Sequence, residues 1–216
     1  MDLIGRDLRQ TDLSNLDLRG ANLTDANLQG VDLRSVNLRG ARLVRSDLQQ
    51  ANLAAASLKR ADLSYADLSG ADLYRAKLKG ANLWDARLVS SDLSEATLTK
   101  AGLCGAKLSH ANLTGADLFR ATLHMADLSE ADFTNAKLRD TTLPQDLSNA
   151  DLRDAYLGPK DLRHTPLTEQ ALRERDLTGS ILMHADLSDM DLSGLVLDEA
   201  DLRNSSLRSC DLTDAQ

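Results

Sequence analysis

The sequence predicts an all-β solenoid, in which the chain winds into stacked coils around a single apolar core. Three observations lead to this prediction. Leucine recurs at every fifth position, a small residue precedes most leucines by two positions, and aromatic residues make up only 3% of the 216 residues. A globular core normally takes much of its bulk from aromatic side chains, so this core has to be built from aliphatic ones.

The leucine period covers almost the whole chain. From Leu3 to Leu143 there are 29 such positions, five residues apart, and all hold leucine except Phe133. The next leucine, Leu147, comes one residue early, and the five-residue period then continues for 14 positions to Leu212. On a helix, five steps place successive leucines about 140° apart. On a flat strand, an odd spacing sends alternate leucines to opposite faces. All of them point inward only if the chain turns a corner once per five residues.

The positions before each leucine have separate roles. The residue two positions earlier is mostly small, as at Ala21 and Ala51, which fits a second inward site with little room. The residue directly before the leucine is usually Asp or Asn, whose side chain hydrogen-bonds nearby backbone groups in turns. We therefore expect these carboxylates to stabilise corners and not to perform acid–base chemistry.

The repeat is interrupted before the C-terminus, which divides the chain into residues 1–157, an interruption at 158–175 and further coils at 176–216. The interruption contains two prolines, Pro159 and Pro166. Its small sites hold large or polar residues, namely Lys160, Thr165, Gln170 and Arg175. A Thr cap followed by Pro predicts the start of a short helix near 165–175, with the coils resuming near Asp176. A distorted coil that keeps its five-residue phase is the alternative.

The repeat units resemble those of pentapeptide-repeat proteins. The resemblance rests on A(D/N)Lxx units such as ANLAA at 51–55 and ANLTG at 111–115, and it covers about residues 1–157 and 176–212. It implies a right-handed, quadrilateral β-helix with coils of about 20 residues. Some members of the family form end-to-end dimers, so we expect a homodimer through the solenoid ends, with a monomer as the alternative.

Composition excludes several classes of protein. The net charge of −8 disfavours a general nucleic-acid binder, and the two cysteines are too few for a disulfide framework. The sequence contains no apolar run long enough for a membrane span and no signal-peptide pattern at its start, which favours a soluble, cytoplasmic protein.

Motifs for catalysis or ligand binding are lacking. The sequence has no HExxH spacing, no phosphate-binding glycine loop and no CxxC pair, so we expect no enzyme activity, no cofactor and no metal. Cys104 and His124 fall in one column of adjacent coils, but two ligands are too few for a structural zinc site. Cys210 falls at a small inward site and is expected to be buried.

The implied coil sorts the charges by face. The side centred on Leu18, Leu38 and every further twentieth residue to Leu138, here called the basic face, carries ten of the 18 basic residues of 1–143 and only three acidic ones. Its candidate partner-binding residues are Arg19, Arg39, Lys59, Lys79, Lys100, Arg120 and Arg139. The preceding side, centred on Leu13 to Phe133 and here called the acidic face, carries six acidic residues and two basic ones. The basic face predicts docking of an acidic partner, and the alternative is a solvated face paired laterally with the acidic one.

A second candidate surface lies on the side centred on Leu3 to Leu123. Its outward positions include Tyr65 and Trp84, here called the aromatic pair, which the 20-residue coil places side by side. Exposed Trp and Tyr side chains are typical of interface anchors. Scattered exposed apolar residues are also common on protein surfaces, which is the alternative reading.

Three functional hypotheses remain open from the sequence. The first is a non-catalytic protein-interaction scaffold or regulator that uses the faces of the rod. The second comes from the resemblance, because some family members bind type II DNA topoisomerases by mimicking duplex DNA and so protect against quinolones. The acidic segment 144–216 fits that hypothesis, whereas the basic face counts against it. The third is an immunity factor against a peptide toxin.

Overall fold

The computed structural model describes most of the chain. The described residues are 1–14, 16–147, 149–156, 167–173, 177, 180, 182–198 and 200–216. The predicted helix cap at Thr165 and Pro166, and the predicted return of the coils at Asp176, lie outside these residues.

Parallel bridges between residues 20 apart define the coil. Successive sides are joined by the pairs Asn22↔Arg42, Asn27↔Asp47, Asp32↔Asn52 and Asn37↔Ser57, so that each coil has four sides of five residues. A turn follows most of the bridged residues, which leaves room for one paired residue per side. The described residues therefore form ladders of single bridges in place of longer strands. The right-handed sense of the coil, which the family resemblance implies, stays a prediction.

Most described corners are four-residue turns with one left-handed residue. In a representative corner, the amide of Ala26 donates to the carbonyl oxygen of Leu23 (3.1 Å), and Asp25 between them has a φ of 57°. A positive φ at the third residue is the mark of a type II turn. At 24 described positions a residue other than glycine adopts this conformation, although it costs an L-residue roughly 1–2 kcal/mol.

The Asp and Asn side chains before the leucines stabilise these corners, as predicted. The Oδ1 atom of Asp67 accepts a hydrogen bond from the backbone amide of Ser69 (3.0 Å), and Oδ1 of Asn52 accepts one from the amide of Ala54 (3.1 Å). This amide precedes the left-handed residue of the turn. The side chain therefore binds a backbone group that the turn itself leaves unpaired.

The core is filled by leucine and alanine. Leu78 and Ala76 are both fully buried, and the same alternation forms one apolar cluster from Leu8 to Ala155. Burying a leucine side chain contributes roughly 1.5–3 kcal/mol. Stacked leucines thus replace the aromatic residues that the composition lacks, and Phe133 occupies a leucine site in full burial.

The one-residue deletion changes the register of the ladder. Beyond it, the bridges Asp132↔Asp151 and Lys137↔Tyr156 join residues 19 apart. Where the chain absorbs the deletion, a surface cavity of about 240 Å³ opens between residues 125–129 on one side and Asp146, Leu147, Asn149 and Ala150 on the other.

A short helix replaces one side of a coil in the interruption. Helix α1 spans Glu169–Arg173, inside the predicted segment 165–175. The carboxylate of Glu169 accepts a hydrogen bond from the amide of Asp191 (2.8 Å), and Arg173 forms an ion pair with the Asp191 carboxylate. One coil later, the equivalent amide of Asp211 donates to a backbone carbonyl, that of Met190 (3.0 Å). The Glu169 carboxylate thus replaces the backbone carbonyl oxygen that a regular coil would offer to the amide of Asp191.

The C-terminal coils have their own apolar cluster and regain the 20-residue register. Leu172 of α1 packs in this cluster, which extends to Leu195, and the bridges Asp186↔Ser206 and Asp191↔Asp211 join residues 20 apart. Cys210 packs against the cluster but is only partly buried, so the expectation of full burial is wrong. It lies in the final described coil, where no described coil follows to cover it.

Candidate interaction surfaces

The basic face is one continuous side of the rod. Backbone hydrogen bonds from Leu38 to Ser57 (2.8 Å) and from Leu58 to Lys77 (2.9 Å) hold its consecutive coils in register. Arg19, Arg39, Lys59 and Lys79 therefore follow one another in a single outward column at the strand spacing of about 4.8 Å. Like charges this close repel one another.

Ion pairs divide this face into two parts. Arg19 pairs with Asp17 (2.6 Å), and both Arg120 (3.3 Å) and Arg139 (4.0 Å) approach the carboxylate of Asp140. The other basic residues of this face form no ion pair with any residue in the described part of the chain, and all of them except the half-buried Lys79 are exposed. Six of them lie in consecutive coils and are called the unpaired basic patch here: Arg39, Lys59, Arg60, Lys77, Lys79 and Lys100.

Phe119 holds the arginines at the far end of the basic face, which the sequence analysis missed. The guanidinium carbon of Arg120 lies 4.9 Å from the centroid of the Phe119 ring, and that of Arg139 lies 5.4 Å from it. These are cation–π distances. The 20-residue register, which places Arg139 one coil after Phe119, is the signal that could have found this contact. Because the ring and Asp140 restrain both arginines, they are less available to a partner than the unpaired basic patch.

The carboxylates of the acidic face are engaged within the rod. Arg34 donates hydrogen bonds to Asp32 and lowers the pKa of that carboxyl to about 2. Glu95 pairs with Arg75 (2.6 Å), and Asp92 accepts hydrogen bonds from the amide of Ser94 (2.9 Å) and from Asn112. The negative charge of this face is therefore partly neutralised and tied to the turns.

The aromatic pair forms as predicted. The ring centroids of Tyr65 and Trp84 are 5.7 Å apart with an angle of 49° between the ring planes, and the two residues are 48% and 49% exposed. A hydrogen bond from the amide of Tyr65 to the carbonyl of Trp84 (2.9 Å) fixes the backbone beneath them.

Within the described ranges, no group of three or more His, Cys, Asp or Glu residues is arranged to hold a metal ion. Cys104 and His124 lie in neighbouring coils, as the register predicts. In the same part of the chain, no helix has the length and apolar character needed to cross a membrane.

Stacked coils with distinct outward faces and an interior filled by leucine and alanine define a solenoid repeat protein. A family model described as pentapeptide repeats matches eight copies, over residues 2–40, 41–80, 76–115, 101–135 and 180–216. The chain therefore belongs to the pentapeptide repeat family. A search of curated proteins found no match.

Solved structures of the same family are similar to the chain. HetL, a pentapeptide repeat protein involved in heterocyst differentiation regulation from the cyanobacterium Nostoc sp. strain PCC 7120, is 33% identical, with a TM-score of 0.62 and coverage of 100% of this chain and 84% of HetL. A pentapeptide repeat protein from the Arabidopsis thaliana thylakoid lumen is 37% identical over 44% of this chain and 69% of its own, with a TM-score of 0.36. Rfr23 from the cyanobacterium Cyanothece 51142 is 26% identical over 66% of this chain and 90% of its own, with a TM-score of 0.43.

Proposed function

We propose that the chain is a non-catalytic interaction protein, a scaffold or regulator, whose unpaired basic patch binds an acidic protein partner. The observation that carries this proposal is the set of six cations in consecutive coils, five exposed and Lys79 half-buried, that have no ion-pair partner among the described residues. Similarity to HetL, which is involved in a regulatory process, supports a regulatory role over a catalytic one.

The physical basis is the field of the stacked cations. Arg39, Lys59 and Lys79 lie in one column, so an approaching acidic surface meets several positive charges within about one Debye length, about 8 Å at physiological salt. Such a surface increases the association rate with acidic partners and makes binding sensitive to salt. The repulsion within the column also falls when a partner supplies the missing carboxylates.

The alternative hypothesis, a DNA-mimicking binder of type II topoisomerase, has less support. A DNA mimic needs an exposed series of free negative charges. On the acidic face Asp32 and Glu95 are paired with arginines, and Asp92 is hydrogen-bonded to a turn and to Asn112.

The test compares capture of binding proteins from the native host by three forms of the protein. The basic-face variant carries Arg39→Gln, Lys59→Gln and Lys79→Gln. The matched control variant carries Gln29→Glu, Gln49→Glu and Ser109→Glu, which changes the net charge by the same amount on the opposite side of the coil. All six side chains lie outside the core, so both variants should keep the fold.

We expect the wild type and the control variant to retain the main partner and the basic-face variant to lose it. Retention should also fall as salt rises. Retention of that partner by the basic-face variant, together with its loss from the control variant, would contradict the proposal. Capture of a type II topoisomerase by all three forms would favour the alternative.

A further inference from the structure

From the coil of Tyr65 onward, the side that carries the aromatic pair holds carboxylates but no lysine or arginine over four coils. The residues of its side in four consecutive coils are 61–65, 81–85, 101–105 and 121–125, and they contain two aspartates and neither lysine nor arginine. The arginine that precedes Tyr65 in its column, Arg45, is held by Asp25 one coil further away (2.7 Å). Arg42, in the same earlier coil, lies in the column of Asp62. Among the described residues, no cation is stacked on the Tyr65 or Trp84 ring.

Asp85, the residue after Trp84, supplies an unpaired carboxylate on the same side of the rod. Asp85 follows Trp84 in the same turn and is exposed, and its side chain has no hydrogen bond or ion pair with a described residue. Its carboxylate lies over Gly105 of the next coil: a Cβ atom added to Gly105 would be only 2.1 Å from Oδ1 of Asp85. The other aspartate, Asp62, already accepts hydrogen bonds from Ser64 (2.7 Å) and Asn82 (3.0 Å).

The coil that follows leaves space for a ligand. Beside Trp84 and Asp85, the next coil presents Gly102, Cys104 and Gly105. Two of these residues have no side chain, and the third has only the short side chain of cysteine. A ligand can therefore approach the ring and the Asp85 carboxylate over this low part of the surface.

Two other outward aromatic rings, those of Tyr74 and Phe119, already hold a guanidinium group. Arg75 lies 4.9 Å from the Tyr74 centroid, and Arg120 lies 4.9 Å from that of Phe119. In both cases an acidic residue also binds the arginine, Glu95 in the first and Asp140 in the second. Each of those two sites combines one ring, one carboxylate and an arginine. Tyr65, Trp84 and Asp85 supply two rings and a carboxylate, with no arginine stacked on either ring in the described part of the chain.

We propose that Tyr65, Trp84 and Asp85 form a binding site for a cationic side chain, an arginine or lysine, of a protein partner. The ring faces attract the cation through their quadrupole, and Asp85 adds a direct charge interaction. The inference rests on the proposed function only in that the ligand belongs to a protein partner. The site prefers the opposite charge to the unpaired basic patch and lies on another side, so the two are tested separately.

Trp84 is the only tryptophan in the chain, so its fluorescence reports on this site alone. The probe is N-acetyl-arginine amide, titrated at constant ionic strength while Trp84 emission is recorded. The neutral analogue N-acetyl-citrulline amide has nearly the same shape and serves as the ligand control. We expect a saturable change with the arginine probe and binding of the citrulline probe that is weaker by about two- to fivefold or more.

Two variants test the assigned residues. Asp85→Asn and Tyr65→Leu should each weaken binding of the arginine probe by about twofold or more. Asp132→Asn, which removes one charge on the acidic face, should leave binding unchanged. The inference is overturned by an absence of saturable change, by equal binding of the two probes, or by variants at 65 and 85 that bind like the wild type. None of these results bears on capture of the acidic partner by the basic face.

Discussion

Two neighbouring alanines, Ala54 and Ala55, offer a direct test of the turn geometry. Both lie outside the core in the same corner, but Ala55 has a φ of 57° whereas Ala54 is not in the left-handed region. We predict that Ala55→Gly stabilises the protein and that Ala54→Gly destabilises it. No hydrogen bond is lost in either variant, since the amide of Ala55 still donates to Tyr74 (2.8 Å) and the carbonyl of Ala54 still accepts from Ser35 (2.9 Å).

The magnitudes follow from two opposing terms. Glycine removes the left-handed penalty of roughly 1–2 kcal/mol at position 55, and it increases the entropy of the unfolded chain by about 0.4–1 kcal/mol at either position. Ala55→Gly should therefore raise the free energy of unfolding by about 0.5–1 kcal/mol, and Ala54→Gly should lower it by about 0.4–1 kcal/mol.

The assay is thermal unfolding of both variants and the wild type, followed by far-UV circular dichroism. In a chain of this length, 1 kcal/mol shifts the midpoint by about 2–4 °C. The two midpoints should move in opposite directions from that of the wild type. Equal destabilisation by both variants, or stabilisation by Ala54→Gly alone, would refute a left-handed residue at every fifth position.

The remaining predictions concern the core, acid stability and the helix. Ala76→Leu should overpack two coils and lower the free energy of unfolding in urea by about 1–3 kcal/mol, whereas Ala54→Leu should have little effect, and equal effects would disprove the inward assignment. The pKa of Asp32 in the folded state is about 2, below the unfolded value of about 3.9. Its contribution to stability is therefore complete above about pH 4 and lost as the pH falls towards 2; in Arg34→Ala the NMR-measured pKa should rise, and an unchanged value would disprove the assigned cause. Glu169→Ala should accelerate amide hydrogen exchange at Asp191 but not at Asp211, and Glu169→Gln should not; equal exchange in the two variants would contradict the capping role.

The coil itself follows from the sequence because its signal is repeated in almost every unit. Leucine at every fifth position requires one corner per five residues, and the small residues before it mark the second inward site. The same register places Trp84 one coil after Tyr65, which the ring geometry confirms. The large or polar residues at the small sites marked the interruption, and the Thr cap followed by Pro predicted a helix near 165–175. The helix α1 spans Glu169–Arg173.

The partition of the basic face could not be predicted from the repeat. The sequence groups Arg39, Arg120 and Arg139 as equivalent outward cations. The structure pairs Arg120 and Arg139 with Asp140 and stacks them on Phe119, whereas Arg39 has no ion pair in the described residues. Which cation finds a partner depends on side-chain rotamers between columns, and the five-residue pattern does not specify them.

The most direct test of the central claim, that the basic face contacts the partner, is site-specific photocrosslinking. A p-benzoylphenylalanine at Thr99, in the basic face beside Lys79 and Lys100, should form a covalent adduct with the captured acidic partner. The same residue at Ser109, equally half-exposed on the opposite side of the coil, should form none. Adducts from position 109 without adducts from position 99 would contradict the claim.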